Sequence, residues 1–415
     1  MRETITEIIL TRTFKDSAVS TFGTVANGLL GVAYYILMAR FLGPADYGAF
    51  SVAVAAIALI ASVANIGIDT GILRFRGESK FLKLALRLKI ISSLAVVILG
   101  WFLVPPLTLI LFAKPELVVP LRLALLGVGT SLLFSFSTSA LQALEKFWTW
   151  SFLNIFANAM RLISILVLLA VGGLGVVAGL YGYVGAPLVG FLVGFFFLPR
   201  FWQQKNENKV LKEFLNFNKW VAVFTLIAAV AARMDIFLTT RLLTLAQVGI
   251  YSLAVSLTGF ISQIVLALAS VVAPKLPRFT NHREAIVFLK KLQLFVLGLS
   301  VAGVPAGIII GRILISRVYG SQYLASLAPF VILLFAQAVF LVSIPVHTSI
   351  FYYFSKPKVF VFVGALHLVL VSFLGWLLIS RFGYVGAALT MLVGNIFNFI
   401  APGIWVLKEF KKAQA

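Results

Sequence analysis

Three charged residues sit where charge is expensive. Arg161, Arg233 and Asp235 fall inside long apolar runs of a 415-residue chain that is 61% hydrophobic and only 11% charged. A charge at the centre of a bilayer costs about 2.5–3.5 kcal/mol even on the lenient insertion scale, so each must face a hydrated cavity or a partner. Arg233 and Asp235 are two residues apart, about 200° around a helix, and do not readily pair with each other. Two arrangements stay open. In one, Asp235 meets Arg161 or another cation across the bundle as a structural ion pair. In the other, Arg161 and Arg233 line a cationic cavity and fork onto the phosphates of an anionic headgroup. There Arg74, at the end of the second apolar run, is an entrance contact. Asp235, the one acid deep in a run, is the candidate to couple an ion, H+ or Na+, with Asp69 as a weaker second.

Polar residues at helical spacing show which faces of the runs look inward, because hydrogen-bonding groups are costly against acyl chains. Ser20, Thr24, Asn27, Gly31 and Tyr34 step by four and three along the first run. Ser51, Ala55, Ala58, Ser62, Asn65 and Asp69 do so in the second, Ser151, Asn154, Asn158 and Arg161 in the fifth, and Ser252, Ser256, Gly259, Gln263 and Ser270 in the eighth. The small and hydroxyl residues among them are ordinary helix–helix contacts in membranes. Asn27, Asn65, Asn158 and Gln263 are candidates both for such contacts and for binding a polar cargo.

These stripes need long helices to carry them. Twelve runs are long enough to cross a bilayer, at 17–39, 48–72, 88–112, 118–141, 147–170, 176–198, 219–240, 249–273, 292–314, 326–349, 359–380 and 384–407. None shows the ten-residue alternation of barrel strands. The formal charge of +21 resolves by side. With the N-terminus on one side, that side collects 25 of the 34 Lys and Arg residues, Lys89 among them, and the other collects seven. The excess puts both termini in the cytoplasm and assigns most of the charge to topology and anionic lipid, with no nucleic-acid partner.

A gapless shift of 201 residues aligns Arg40, Leu42, Ala45, Gly48, Ser51, Ala53 and Val54 with Arg241, Leu243, Ala246, Gly249, Ser252, Ala254 and Val255. The same shift aligns Gly182, Tyr183, Val184, Gly185, Ala186 and Leu188 with Gly383, Tyr384, Val385, Gly386, Ala387 and Leu389. Six spans per repeat is an even number, so the halves, 1–200 and 219–415 with a polar linker at 201–218, are parallel repeats. That arrangement occurs in alternating-access transporters with the substrate between the halves.

Other chemistries are poorly supplied. There is no Cys and only three His (His282, His347 and His367), which excludes disulfides and thiolate sites and leaves little for a metal. No paired carboxylates stand at close spacing, and no Walker-type loop is present. No cofactor is expected beyond the coupling ion.

Ala39-Arg40-Phe41-Leu42-Gly43-Pro44-Ala45-Asp46-Tyr47-Gly48 resembles the signature of the polysaccharide transporters, of the O-antigen flippase type, in the multidrug/oligosaccharidyl-lipid/polysaccharide exporter superfamily. Asn65-Ile66-Gly67-Ile68-Asp69-Thr70-Gly71 through Arg74 and the openings Gly182–Ala186 and Gly383–Ala387 resemble it too, so the similarity spans the chain. It implies an all-α polytopic fold of twelve transmembrane helices in two six-helix repeats forming a V-shaped transporter. It further implies a flippase moving a polyprenyl-pyrophosphate-linked glycan to the outer leaflet of the cell membrane, among membrane lipids and glycan-assembly proteins, and not an enzyme. The first span lacks the acid usual in the drug-extruding branch, and twelve spans are fewer than the fourteen of the peptidoglycan-precursor flippase. An ion-coupled exporter of organic cations is one rival. A membrane glycosyltransferase or polymerase, using Asp46 and Glu116, is another.

Overall fold

A computed structural model describes residues 12–204, 211, 225–272, 275–279, 281–356 and 358–412. Most of the expected linker at 201–218 and the start of the expected seventh span at 219 lie outside them. Among the described residues the chain is helical and contains no strand. Its internal contacts divide it into two units: Met1–Leu42 with Ala49–Ala229, and Gly43–Gly48 with Val230–Ala415.

In unit 1, α1 (Arg12–Asn65) carries both the first and second expected spans as one element bent at Gly43. Gly43 has φ 75°, which an L side chain rarely tolerates, and Pro44 restarts the helix with its preset φ. The second span is shorter than its hydropathy suggested. It breaks at Ile66 (φ 48°) and Gly67 (φ 71°) and resumes as the short α2 (Ile68–Arg74). A β-branched residue at positive φ is strained by about 1–3 kcal/mol. The third span is longer than expected: α3 (Ser79–Phe112) starts nine residues before position 88. Next come α4 (Val118–Ala143), α5 (Phe147–Ala170) and α6 (Val176–Phe196). Ile68, Phe81, Phe136, Leu153 and Phe201 form the buried core of this unit.

Helical turns at 225–231, where unit 1 ends and unit 2 begins, break at Ala232 and Arg233, and α7 (Met234–Leu242) follows in unit 2. The expected seventh span, 219–240, is therefore interrupted beside its charges. Next are α8 (Leu245–Val272) and α9 (His282–Ile313), the latter widening into a π-helix at Leu314–Tyr319. α10 (Leu327–Val342) and α11 (Ile344–Thr348) precede α12 (Lys358–Lys412), which joins the last two expected spans through a bend at Gly383, φ 58°. Small residues admit large ones, as where Gly311 faces the ring of Phe330.

Nine helices among the described residues are long and apolar enough to cross a membrane. Two of them, Phe22–Asn65 with 44 residues and Lys358–Lys412 with 55, exceed the roughly 20 residues of one crossing at least twofold. α3 exposes Leu94, Ile98, Phe102 and Ile110, a face fitted to acyl chains and not to water. The chain is a multi-pass membrane protein.

The segment Gly43–Gly48 leaves the first repeat's unit and packs within unit 2. Tyr47 is fully buried, shares a 3.1 Å hydrogen bond with the hydroxyl of Ser256, and sets its ring edge-on to Tyr323 at 6.3 Å. A Cβ on Gly48 would strike the carbonyl oxygen of Leu245, and one on Gly249 would strike that of Pro44. Pro44 and Leu245, like Gly48 and Gly249, are 201 residues apart, so the contact is reciprocal between repeat-equivalent positions.

Candidate functional site

Three of the expected residues meet in unit 1. Asn158, on α5, donates through Nδ2 to Oδ1 of Asn27 on α1 at 2.6 Å. Its own Oδ1 accepts from Nη1 of Arg161 at 3.1 Å, one helical turn further on. The Arg161 guanidinium lies 4.1 Å from the ring centroid of Tyr183 on α6, a cation–π contact. Its Nε is buried and has no acceptor among the described residues. The chain Asn27–Asn158–Arg161–Tyr183 thus joins the polar stripes of two helices to a third. Gly31 sits beside the Asn158 amide on the same stripe. All four linked residues are half-buried. Half-exposed amides and a guanidinium in membrane-crossing helices are suited to water or a polar ligand, not to acyl chains.

A second polar group in unit 1 was not anticipated. Lys89 of α3 is 0% exposed, and its Nζ lies 2.8 Å from Oδ1 of Asp69 and donates to the hydroxyl of Ser135 at 2.6 Å. This corrects the assignment of Lys89 to the basic rim: the helix begins at Ser79, so the lysine sits nearly three turns inside it. Asp69, 26% exposed, is thereby tied to a buried cation. The sign that could have found the pair was Asp69 itself, an acid at the end of an apolar run and in need of a cation. Asn65 lies at the broken end of α1, its Oδ1 buried without a partner among the described residues. Arg74 is exposed at the end of α2.

In unit 2, Asp235 is buried in the first turn of α7, and its Oδ2 accepts from the hydroxyl of Tyr251 on α8 at 2.6 Å. Its Oδ1 is buried with no donor among the described residues. Among the described residues of unit 2, Asp235 forms no ion pair, and a phenol hydrogen bond takes one of its oxygens. Arg233 is the half-buried residue just before α7. Gln263 is exposed on α8 and joins neither cluster. His347 spans Ser343 and the carbonyl of Asn398, at 3.4 and 2.9 Å, as a bridge between helices. No grouping of three or more His, Asp or Glu suited to a metal occurs among the described residues.

A family model described as a polysaccharide biosynthesis protein matches residues 37–328. No curated protein matches the sequence. Among solved structures, the fold is similar to that of the lipid II flippase MurJ in an inward closed conformation, with TM-score 0.78 at 16% identity over 95% of this chain and 89% of that one. It is similar also to an inward-facing multidrug resistance MATE family transporter of the MOP superfamily, with TM-score 0.77 at 14% identity over 94% of this chain and 96% of that one. A MOP superfamily transporter from Pyrococcus furiosus, described as having a binding pocket of reversed polarity, aligns with TM-score 0.62 at 15% identity over 96% and 95% of the two chains. At these identities the similarity establishes the fold, that of the MOP superfamily transporters.

Proposed function

The chain belongs to the polysaccharide biosynthesis protein family, and we propose that it is a flippase moving a lipid-pyrophosphate-linked oligosaccharide from the cytoplasmic to the outer leaflet of the cell membrane by alternating access, both termini being cytoplasmic. The observation that carries this reading is the Arg161–Asn158–Asn27 chain, a half-exposed guanidinium and two amides within membrane-crossing helices. A planar, permanently charged fork suits a phosphate, and amides suit sugar hydroxyls. Arg161 and Arg233 hold the pyrophosphate, Asn27, Asn158, Asn65 and Gln263 take up sugars, and Arg74 meets the cargo at the cytoplasmic entrance. The lipid tail stays among membrane lipids, and proteins of glycan assembly deliver and receive the cargo. No bond is made or broken.

Asp235 is our assignment for the coupling ion, H+ or Na+, because one of its oxygens is buried without a donor. Asp69 can serve only by first leaving Lys89. That same buried acid favours one second reading, an ion-coupled exporter of organic cations.

The test is reconstitution in liposomes with labelled lipid-linked oligosaccharide, reading the fraction that becomes accessible on the far side. Arg161→Ala and Arg233→Ala, at equal protein, should each slow the transfer at least tenfold, and Asp235→Asn should remove its response to an imposed ion gradient. Unchanged transfer in both arginine variants sinks the headgroup assignment. Movement of an organic dye, with none of the lipid, selects the exporter.

A further inference from the structure

Tyr183 stands next to Arg161, and its hydroxyl is unusually available. It accepts from the Tyr35 hydroxyl at 3.5 Å, against roughly 2.7–2.8 Å for an ordinary O–H···O contact. Its own O–H donates to no group among the described residues. The ring is held firmly from behind. Phe50 meets it edge-on at 5.8 Å and Tyr34 at a tilt at 5.9 Å, both almost fully buried, and the Tyr34 hydroxyl is anchored to the Gly179 carbonyl at 3.3 Å. One face of the ring carries the Arg161 guanidinium. The result is a fixed phenol O–H set beside a cation, on a half-buried residue of a polar face.

A ligand that satisfies both groups at once carries an anionic oxygen for the guanidinium and a neutral hydroxyl a few ångströms away. A sugar joined to a phosphate has that spacing of groups, and a bare phosphate does not. We propose that Tyr183 is a specificity-determining residue: its O–H donates to a hydroxyl of the sugar attached to the phosphate that Arg161 grips. This rests on the flippase reading above and adds to it the group that distinguishes a glycan-bearing lipid from the empty carrier. The repeat-equivalent tyrosine supplies an internal control. Tyr384 lies 201 residues on, but the position equivalent to Arg161 is Phe362, so no cation stands there to seat a phosphate.

Tyr183→Phe keeps the ring and its contact with Arg161 and removes only the hydroxyl. The full-length protein in detergent should be titrated with a polyprenyl pyrophosphate and with the same lipid bearing one hexose. The variant should bind the hexose lipid about three- to tenfold more weakly, the worth of one hydrogen bond, and the bare pyrophosphate as the wild type does. Tyr384→Phe should change neither. Equal weakening toward both lipids would show that Tyr183 only positions Arg161 and would overturn the proposal, as would unchanged binding of both. A wild-type protein that binds neither lipid overturns the flippase reading and the tyrosine's role together, an outcome distinct from the other two.

Discussion

The two repeats align at a 201-residue offset and carry different polar groups at equivalent positions. Asn27, Asn158 and Arg161 in the first repeat correspond to Ala228, Val359 and Phe362 in the second. Conversely, the Asp235–Tyr251 pair of unit 2 corresponds to Tyr34 and Phe50 of unit 1, where two buried aromatic rings meet at 6.2 Å. Lys89, buried against Asp69, corresponds to Lys290, which is exposed. What both repeats keep is close packing at Gly48 and its equivalent Gly249. What they do not share is these polar groups: an arginine bonded to amides lies in the first repeat, and the buried Asp235 in the second.

The contrast is breakable at several points. The largest effect should come at Lys89, because removing one partner of a buried pair strands the other's charge. Lys89→Ala should cost about 3–5 kcal/mol in thermal unfolding in detergent, and Lys290→Ala less than about 0.5 kcal/mol. Replacing both partners, Lys89→Met with Asp69→Leu, should recover most of the loss. Equal costs at positions 89 and 290 would erase the asymmetry. Next, Arg161→Ala should weaken binding of a pyrophosphate lipid about ten- to a hundredfold, the range for a hydrogen bond to a charged group. Phe362→Ala should leave that binding unchanged, and a comparable loss there would mean that the second repeat's counterpart of Arg161 touches the headgroup in addition to Arg233. Gly48→Ala and Gly249→Ala should each destabilise by about 1–3 kcal/mol, and by similar amounts, because each drives a methyl into the other's backbone. Unequal losses would show that the contact is not reciprocal in energy. The smallest effect should be at Tyr34→Phe, about 0.5–1.5 kcal/mol for the lost bond to Gly179, with transport intact. Abolished transport would give the unit 1 aromatic pair a role like that of its acidic counterpart.

Much of this was legible in the sequence. The apolar runs and the offset of 201 are sums over many residues, and such sums survive local exceptions. The Asn27 and Arg161 stripes could be read because helical spacing places their members on one face. What could not be read was local backbone or partnership between distant helices. The break at Ile66–Gly67 occurs at an isoleucine, a residue type that argues against positive φ. Lys89 was hidden because hydropathy averages place a span's edge at its first charge, whereas a paired lysine can lie well within. Asp235 and Tyr251 are 16 residues apart, across a break between helices, so no periodicity links them. Tyr183 was visible as part of a repeated motif, but its cation–π contact depends on how α5 and α6 pack.

The short segment Gly43–Gly48 has a consequence for the order in which this protein can be made. Its partners, Leu245, Gly249, Ser256 and Tyr323, are synthesised some 200 to 280 residues after it. During translation the first repeat therefore holds a bent, proline-started turn whose docking surface does not yet exist, with the Tyr47 ring uncovered. Closure of that contact is among the most non-local events in the chain and must come late. A chain cut after the first repeat would leave this turn permanently without its seat and the Tyr47 ring without its cover.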